Sequence, residues 1–228
     1  AGKGNSSAPH SSGESNTALG YQALSAFTTG AKNIAIGRWS LLSLTTGNDN
    51  IAIGAYAGDA MTDNSSNTVV GYYAFTTADS GENSNVVIGA SAGSTINNSS
   101  ADNNVIIGES AGSGGTGDLS RAVIIGSSAG NSTGASDNEG MIAIGWSALT
   151  ALTTGARNVA VGYEAMDALT VGDDNLAIGY DAMGALSTTD GSDKNIAIGN
   201  YAMNGVSTLA ATHNIFIGYD SGGGSWTT

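Results

Sequence analysis

Residues 33–37 read Asn33-Ile34-Ala35-Ile36-Gly37, and residues 50–54 repeat the phrase as Asn50-Ile51-Ala52-Ile53-Gly54. Variants of this phrase recur every 17 to 20 residues. Ten of its twelve copies begin with asparagine, and only Ala122 and Met141 replace it. A constant short period is the signature of a chain whose repeats pack on their neighbours. The sequence therefore predicts a solenoid whose repeats carry the glycines Gly20, Gly37, Gly54, Gly71, Gly89, Gly108, Gly126, Gly145, Gly162, Gly179, Gly199 and Gly218.

The phrase itself has the character of a short buried strand. It is an apolar, β-branched run bounded by asparagine and glycine, and the glycine suits a turn that needs positive φ. We predict an all-β parallel β-solenoid, or β-roll, of about twelve rungs of 17 to 20 residues, spanning residues 16–222. Residues 1–15 form a Gly/Ser-rich linker in this interpretation, and residues 223–228 form a C-terminal tail.

Alternation along each strand assigns its side chains to two faces. We expect the first and third residues, such as Ile34 and Ile36, to fill the interior beside small residues such as Ala23. The spacing of Leu24 and Phe27 indicates a single helical or 3₁₀ turn on the side opposite the strands. The second residues then form an outward apolar stripe about 50–55 Å long, more than a soluble monomer exposes. We favour self-association through this stripe over cover by the chain's own second strand or loop. The candidate oligomer interface comprises Ala35, Val69, Val87, Ile106, Ile124 and Phe216.

Composition excludes several function classes. Nineteen acidic and six basic side chains give a net charge of −13, which repels nucleic acid and anionic lipid surfaces. We expect neither nucleic-acid binding nor membrane insertion, because no apolar run approaches the ~20 residues of a bilayer span. There is no cysteine. A small, polar, acidic surface suits an extracellular, cell-surface or virion location.

Three windows match the Gly-x-Ser-x-Gly pattern of a hydrolase nucleophile, with Ser91, Ser110 and Ser128 at their centres. All three serines occupy the same repeat position, where other copies carry tryptophan, tyrosine or an acid. A triad also needs a histidine base, and the chain has only His10 and His213. We therefore predict a non-enzymatic protein without catalytic residues.

Acidic and amide residues cluster in the segments between phrases, for example at residues 48–50, 102–104 and 173–175. Calcium prefers such oxygen ligands, so a calcium site in these loops is one interpretation. Their spacing does not match an EF-hand, and solvated turn residues are the favoured interpretation. We predict no cofactor.

Aromatic residues cluster just after the repeat glycine. Stacked on successive rungs, they would offer amphipathic rings to apolar sugar faces. The alternative is that the rings cap the edge of the core and stabilise the stack of rungs. The candidate glycan or receptor contacts are Trp39, Tyr72, Tyr73 and Trp146.

The segments Asn16-Thr-Ala-Leu-Gly-Tyr-Gln-Ala-Leu24 and Asn33-Ile-Ala-Ile-Gly37, with Leu44-Thr-Thr-Gly47, resemble tandem repeats of phage tail fibres and related bacterial surface proteins. More distantly, they resemble the head repeats of trimeric autotransporter adhesins. The resemblance implies a left-handed parallel β-roll, assembly as a homotrimer, and display of a receptor-binding element. The period here is longer than in the adhesin heads.

These observations predict a fibre shaft or head that extends and presents an attachment surface, as in an adhesin or tail fibre. Two alternatives stay open: a structural filament subunit, and a ligand-binding solenoid such as an ice-binding protein. Ice binding is disfavoured because threonine pairs such as Thr28-Thr29 are adjacent, so their side chains diverge on a strand.

Overall fold

A computed structural model describes residues 12–114, 119–131, 138–186, 191–205 and 211–224. In these ranges the secondary structure consists of three-residue strands joined by turns, without a helix. The twelve strands are β1 (Thr17–Leu19), β2 (Ile34–Ile36), β3 (Ile51–Ile53), β4 (Thr68–Val70), β5 (Val86–Ile88), β6 (Val105–Ile107), β7 (Val123–Ile125), β8 (Ile142–Ile144), β9 (Val159–Val161), β10 (Leu176–Ile178), β11 (Ile196–Ile198) and β12 (Ile215–Ile217).

All of these strands form one sheet in sequence order, and every pairing is parallel. Equivalent residues of successive phrases pair directly, as Ala35 does with Ala52 and Val69 with Val87. A rung here means one strand with the segment that leads to the next strand. The predicted all-β parallel β-solenoid is confirmed in this form.

The faces of the strands are the reverse of those predicted. The central residues Ala35, Ile106 and Ile124 are fully buried, whereas Ile34 and Ile36 are half-buried. The segment after each glycine returns over the central residues and covers them with small side chains such as Ala57. The candidate oligomer interface is therefore wrong. Its members Ala35, Val69, Val87, Ile106 and Ile124 lie inside the chain's own core, and Phe216 packs against that core partly buried.

In most rungs, a small central strand residue is paired with a large fourth residue after the glycine, and a large central residue with a small fourth residue. Where the centre is alanine, this fourth residue is usually a buried leucine or methionine, such as Leu41 or Met183. Where the centre is Ile106, the fourth residue is Gly112, and a Cβ there would lie 3.4 Å from both Ile106 and Ile124. Since protein interiors are close-packed, most rungs fill their core volume from one of these two positions. In the rung with Ala52 and Gly58 both are small, and Met61 packs against Gly58 instead.

In the described residues the segments after the glycines form single turns and no helix, so the expected helical or 3₁₀ turn is present only as isolated turns. The second and fourth residues after the glycine have left-handed backbones, with φ of +53° at Gln22 and +48° at Leu24. L-residues visit this region singly and do not extend it into a helix. Hydrogen bonds run between rungs, as from the Leu24 N–H to the Ser40 carbonyl at 3.0 Å, and also within single turns, as from the Leu44 N–H to the Leu41 carbonyl at 3.3 Å.

The asparagine column forms a buried ladder of side-chain amides. Asn50 Nδ2 donates to Asn33 Oδ1 at 3.0 Å and to the Asn64 carbonyl at 2.7 Å. Asn50 Oδ1 accepts the Asn67 N–H at 3.0 Å. Buried polar groups need such partners, and each amide satisfies backbone groups of the neighbouring rungs. Alanine and methionine interrupt the ladder at Ala122 and Met141.

Candidate attachment surface

Reversal of the strand faces places two apolar columns on the outside of the sheet. We call them the outer sheet face; it consists of the first and third residues of the twelve described strands. Apart from Thr17 and Thr68, all of its side chains are aliphatic. Most are half-buried by their neighbours along the column, and Ile53 and Ile178 are each 39% exposed. The face is thus a strip of mainly β-branched side chains that is open to one side.

Aromatic rings lie beside the sheet, immediately after the glycine turn. Apart from Tyr21, they form two groups in the described residues. The first group is Trp39, Tyr56, Tyr72 and Tyr73. The second group is Trp146, Tyr163, Tyr180, Tyr201 and Tyr219. Between the two groups, the rungs of β5, β6 and β7 carry alanine, serine or glutamate at these positions.

The first group is tied together by polar contacts. Trp39 Nε1 donates to Gln22 Oε1 at 2.7 Å, and the Arg38 guanidinium lies 4.3 Å from the Trp39 ring centroid. Tyr73 stacks on Tyr56 with centroids 4.3 Å apart. A hydrogen bond with Tyr56 raises the pKa of Tyr73 to about 12. Trp39 and Tyr73 therefore already have partners within the chain.

The second group begins as a stack and ends edge-on. The centroids of Trp146 and Tyr163 are 4.7 Å apart at an interplanar angle of 21°, and those of Tyr163 and Tyr180 are 5.3 Å apart at 15°. Tyr201 and Tyr219 continue the series edge-on. Stacked rings cover each other's faces, so mainly their edges meet solvent.

The four predicted glycan contacts do not form one cluster. Trp39, Tyr72 and Tyr73 belong to the first group, whereas Trp146 begins the second. Tyr72 is 56% exposed and Trp146 is 45% exposed. Glycan contact stays a prediction for these residues. They differ in how far neighbouring rings cover them: Tyr73 stacks on Tyr56, and Trp146 stacks on Tyr163.

The three serines of the Gly-x-Ser-x-Gly segments occupy equivalent positions of their repeats in the structure, as they do in the sequence. Ser91, Ser110 and Ser128 all have φ between 55° and 58° and stand at the second position after the glycine. His213 precedes β12, several strand spacings beyond Ser128, and is at least about 20 Å away along the stack. His10 lies outside the described residues.

The loop carboxylates and amides mainly hold neighbouring rungs together. Asn48 Oδ1 accepts the Ala31 N–H at 2.9 Å, and Asp173 Oδ1 accepts the Ala156 N–H at 2.8 Å. Among the described residues, no three histidine, aspartate or glutamate side chains are placed to hold a metal ion. These hydrogen bonds give the acidic and amide residues a role in loop packing, and a calcium site in the loops stays an interpretation of the sequence.

The threonine columns are also engaged within the chain. Thr28 Oγ1 donates to the Thr45 carbonyl at 3.0 Å, and Thr45 Oγ1 donates to the Thr62 carbonyl at 2.9 Å. A hydroxyl has a single proton to donate. These hydroxyls therefore cannot donate to an ordered water lattice without breaking bonds between rungs.

The described part of the chain holds no helix of the length and apolarity that a membrane span requires. Comparison with known protein families, with curated proteins and with solved structures finds no match. Function must therefore be inferred from the surfaces described above.

Acidic side chains on the far side make stability depend on pH. Burial, followed by repulsion from Asp181 and Glu164, raises the pKa of Asp167 from 3.8 to about 6. The folded state then holds this proton more tightly than the unfolded state, so stability falls as pH rises from about 4 to about 6. We expect a lower melting temperature at pH 7.5 than at pH 5. Asp167→Asn mimics the protonated acid. It should raise the melting temperature at pH 7.5 and reduce the difference between the melting temperatures at pH 5 and pH 7.5. A melting temperature of this variant that is unchanged at both pH values would contradict the assignment.

Proposed function

We propose that this chain is a non-enzymatic shaft or head segment of an extracellular or virion fibre, and that copies of it associate through the outer sheet face. The observation that carries the proposal is the apolar character of that face, which only Thr17 and Thr68 interrupt in the described strands. The aromatic groups beside it are then available for attachment. The sequence resemblance to tail-fibre and adhesin repeats supports the same class of protein.

The size of the outer sheet face favours association. Twelve strands at about 4.8 Å give a strip roughly 50 Å long, and two columns make it about 10 Å wide. The resulting patch of roughly 500 Å² lies near the upper end for a soluble monomer, where such patches are often functional. Valine and isoleucine columns also leave a smooth surface with no charge to oppose close approach.

A second copy of the chain is the most complementary occupant. Identical flat faces match in length and in rung spacing, and closed symmetry around an axis buries them without leaving a surface for further growth. Three copies around that axis give the homotrimer that the sequence resemblance implies. Backbone hydrogen bonds between successive rungs stiffen each chain of the assembly.

The outer and inner columns of β6 and β7 allow a matched test. Replacing the outward residues with Ile107→Asp and Ile125→Asp should convert a wild-type trimer into a monomer in sedimentation equilibrium, with an unchanged circular-dichroism spectrum. Replacing the inward residues with Ile106→Asp and Ile124→Asp should unfold the chain, because each change buries an unpaired charge.

Asn97→Asp with Ser99→Asp is the control, since both residues are exposed in a loop. It adds the same charge and should remain trimeric. A wild-type protein that sediments as a monomer at tens of micromolar would refute assembly through the outer sheet face.

A further inference from the structure

We propose that the open face of Trp146, together with Glu109, binds a neutral hexopyranose. The proposal rests on the attachment role given above and names its ligand class and its place. The site lies at the boundary where the rungs of β5 to β7, which carry no aromatic ring after the glycine, end and the second aromatic group begins. The sugar ring would stack on the indole, and its hydroxyls would hydrogen-bond to the carboxylate.

The indole of Trp146 has one ring face covered and one open. Tyr163 stacks against it nearly parallel on the side toward β9. The opposite face points back along the column toward Ser127, which occupies the same position in the preceding rung. The column is fixed by hydrogen bonds from the Ser147 N–H to the Ser127 carbonyl and from the Ser128 N–H to the Glu109 carbonyl. A serine is too small to cover an indole ring.

Other rings of the aromatic groups are less suitable. The Arg38 guanidinium lies over the Trp39 ring, and the Trp39 N–H is bonded to Gln22. Tyr163 lies between two stacked neighbours. Trp146 makes neither a guanidinium contact nor an indole hydrogen bond in the described part of the structure, so its open face and its Nε1 donor are both available.

The residues next to Trp146 on the side away from Tyr163 are small or polar. A ring stacked on the indole would occupy the level of Ser127, about 4.8 Å away, and Glu109 stands one rung further on. Glu109 is exposed and makes no ion pair within the described residues. An aromatic face covers the apolar side of a pyranose, while a carboxylate accepts two hydroxyl hydrogen bonds.

Charge selects the kind of sugar. The chain carries a net charge of −13, and Glu109 is the charged group of the site itself. A sialylated, sulfated or uronic acid ligand would be repelled. The chemistry therefore favours neutral hexoses over anionic glycans.

The test uses saturation-transfer NMR on the full chain with methyl glycosides of galactose, glucose and mannose as probes. We expect saturation transfer to the ring protons of at least one of them, and a loss of roughly tenfold or more in affinity in Trp146→Ala. Ser127→Tyr should abolish the signal equally, because it extends the stack and covers the open face. The column already holds tyrosine at Tyr163 and Tyr180, so this variant should keep or raise the melting temperature.

Glu109→Gln should weaken binding. Tyr21→Ala should not change it, because Tyr21 is an exposed ring outside both aromatic groups. Absence of saturation transfer to all three probes, or equal binding by Trp146→Ala and the wild type, would overturn the sugar site. The measurement is repeated on Ile107→Asp with Ile125→Asp, since the site lies within one chain and should survive dissociation. An assembled protein that binds no probe refutes this site alone, whereas a monomeric wild type that binds a probe refutes the assembly alone.

Discussion

Gly89→Ala is expected to destabilise the solenoid by about 4 kcal/mol or more, the range in which backbone clashes and strain leave small proteins largely unfolded. Gly89 has φ of +139°, and a Cβ on it would lie 2.3 Å from the carbonyl oxygen of Gly108 in the next rung. The neighbour is backbone in the sheet, so it cannot move aside without separating the rungs. Thermal unfolding followed by circular dichroism measures the effect.

Gly218→Ala separates the clash from the backbone strain. Gly218 has φ of +126°, but nothing lies within 4 Å of the position of its Cβ. We expect a cost of only about 1–3 kcal/mol from the conformation itself. Equal losses of stability in the two variants would show that the close contact between glycines of neighbouring rungs is not the reason why glycine is required at this position.

Asn50→Ala is expected to cost about 3–4 kcal/mol in the free energy of unfolding. The substitution removes the amide that bonds to Asn33, Asn64 and Asn67. It leaves the Asn67 N–H and the Asn64 carbonyl without these partners in a buried setting, and each such group costs about 1–3 kcal/mol. Urea unfolding of the variant and the wild type gives the difference.

Asn97→Ala is the matched control, because Asn97 is exposed in a loop. Its effect should lie within about 0.5 kcal/mol. If Asn50→Ala were as mild as Asn97→Ala, the asparagine column would owe its regularity to something other than the amide ladder.

The repeat contains a pattern that identifies the central strand residues as core residues, although alternation alone assigned them to the outside. In most rungs the central strand residue and the fourth residue after the glycine vary in opposite directions in size, as Ala35 with Leu41 and Ile106 with Gly112. Such compensation in volume indicates direct packing between the two positions. It identifies the central column as the interior, and therefore the flanking columns of Ile107 and Ile125 as the outer sheet face.

The sequence by itself determined the period, the place of every strand and the parallel stacking. These properties are local or repeated: a β-branched run between asparagine and glycine forms a strand wherever it occurs, and an equal period aligns each copy with the next. The strands at Ile34–Ile36 and Val105–Ile107 lie where the phrase predicts them.

Only the tertiary structure decided which face points inward, because both faces are apolar and alternation alone does not distinguish inside from outside. The partners of the amide ladder were also beyond the sequence, since Asn50 bonds to Asn64, fourteen residues later in the next rung. Ring orientation depends in the same way on neighbours: Trp146 stacks on Tyr163, whereas Trp39 meets Tyr56 edge-on. Which surfaces are open for binding is set by contacts between rungs, and the repeat phrase does not encode them.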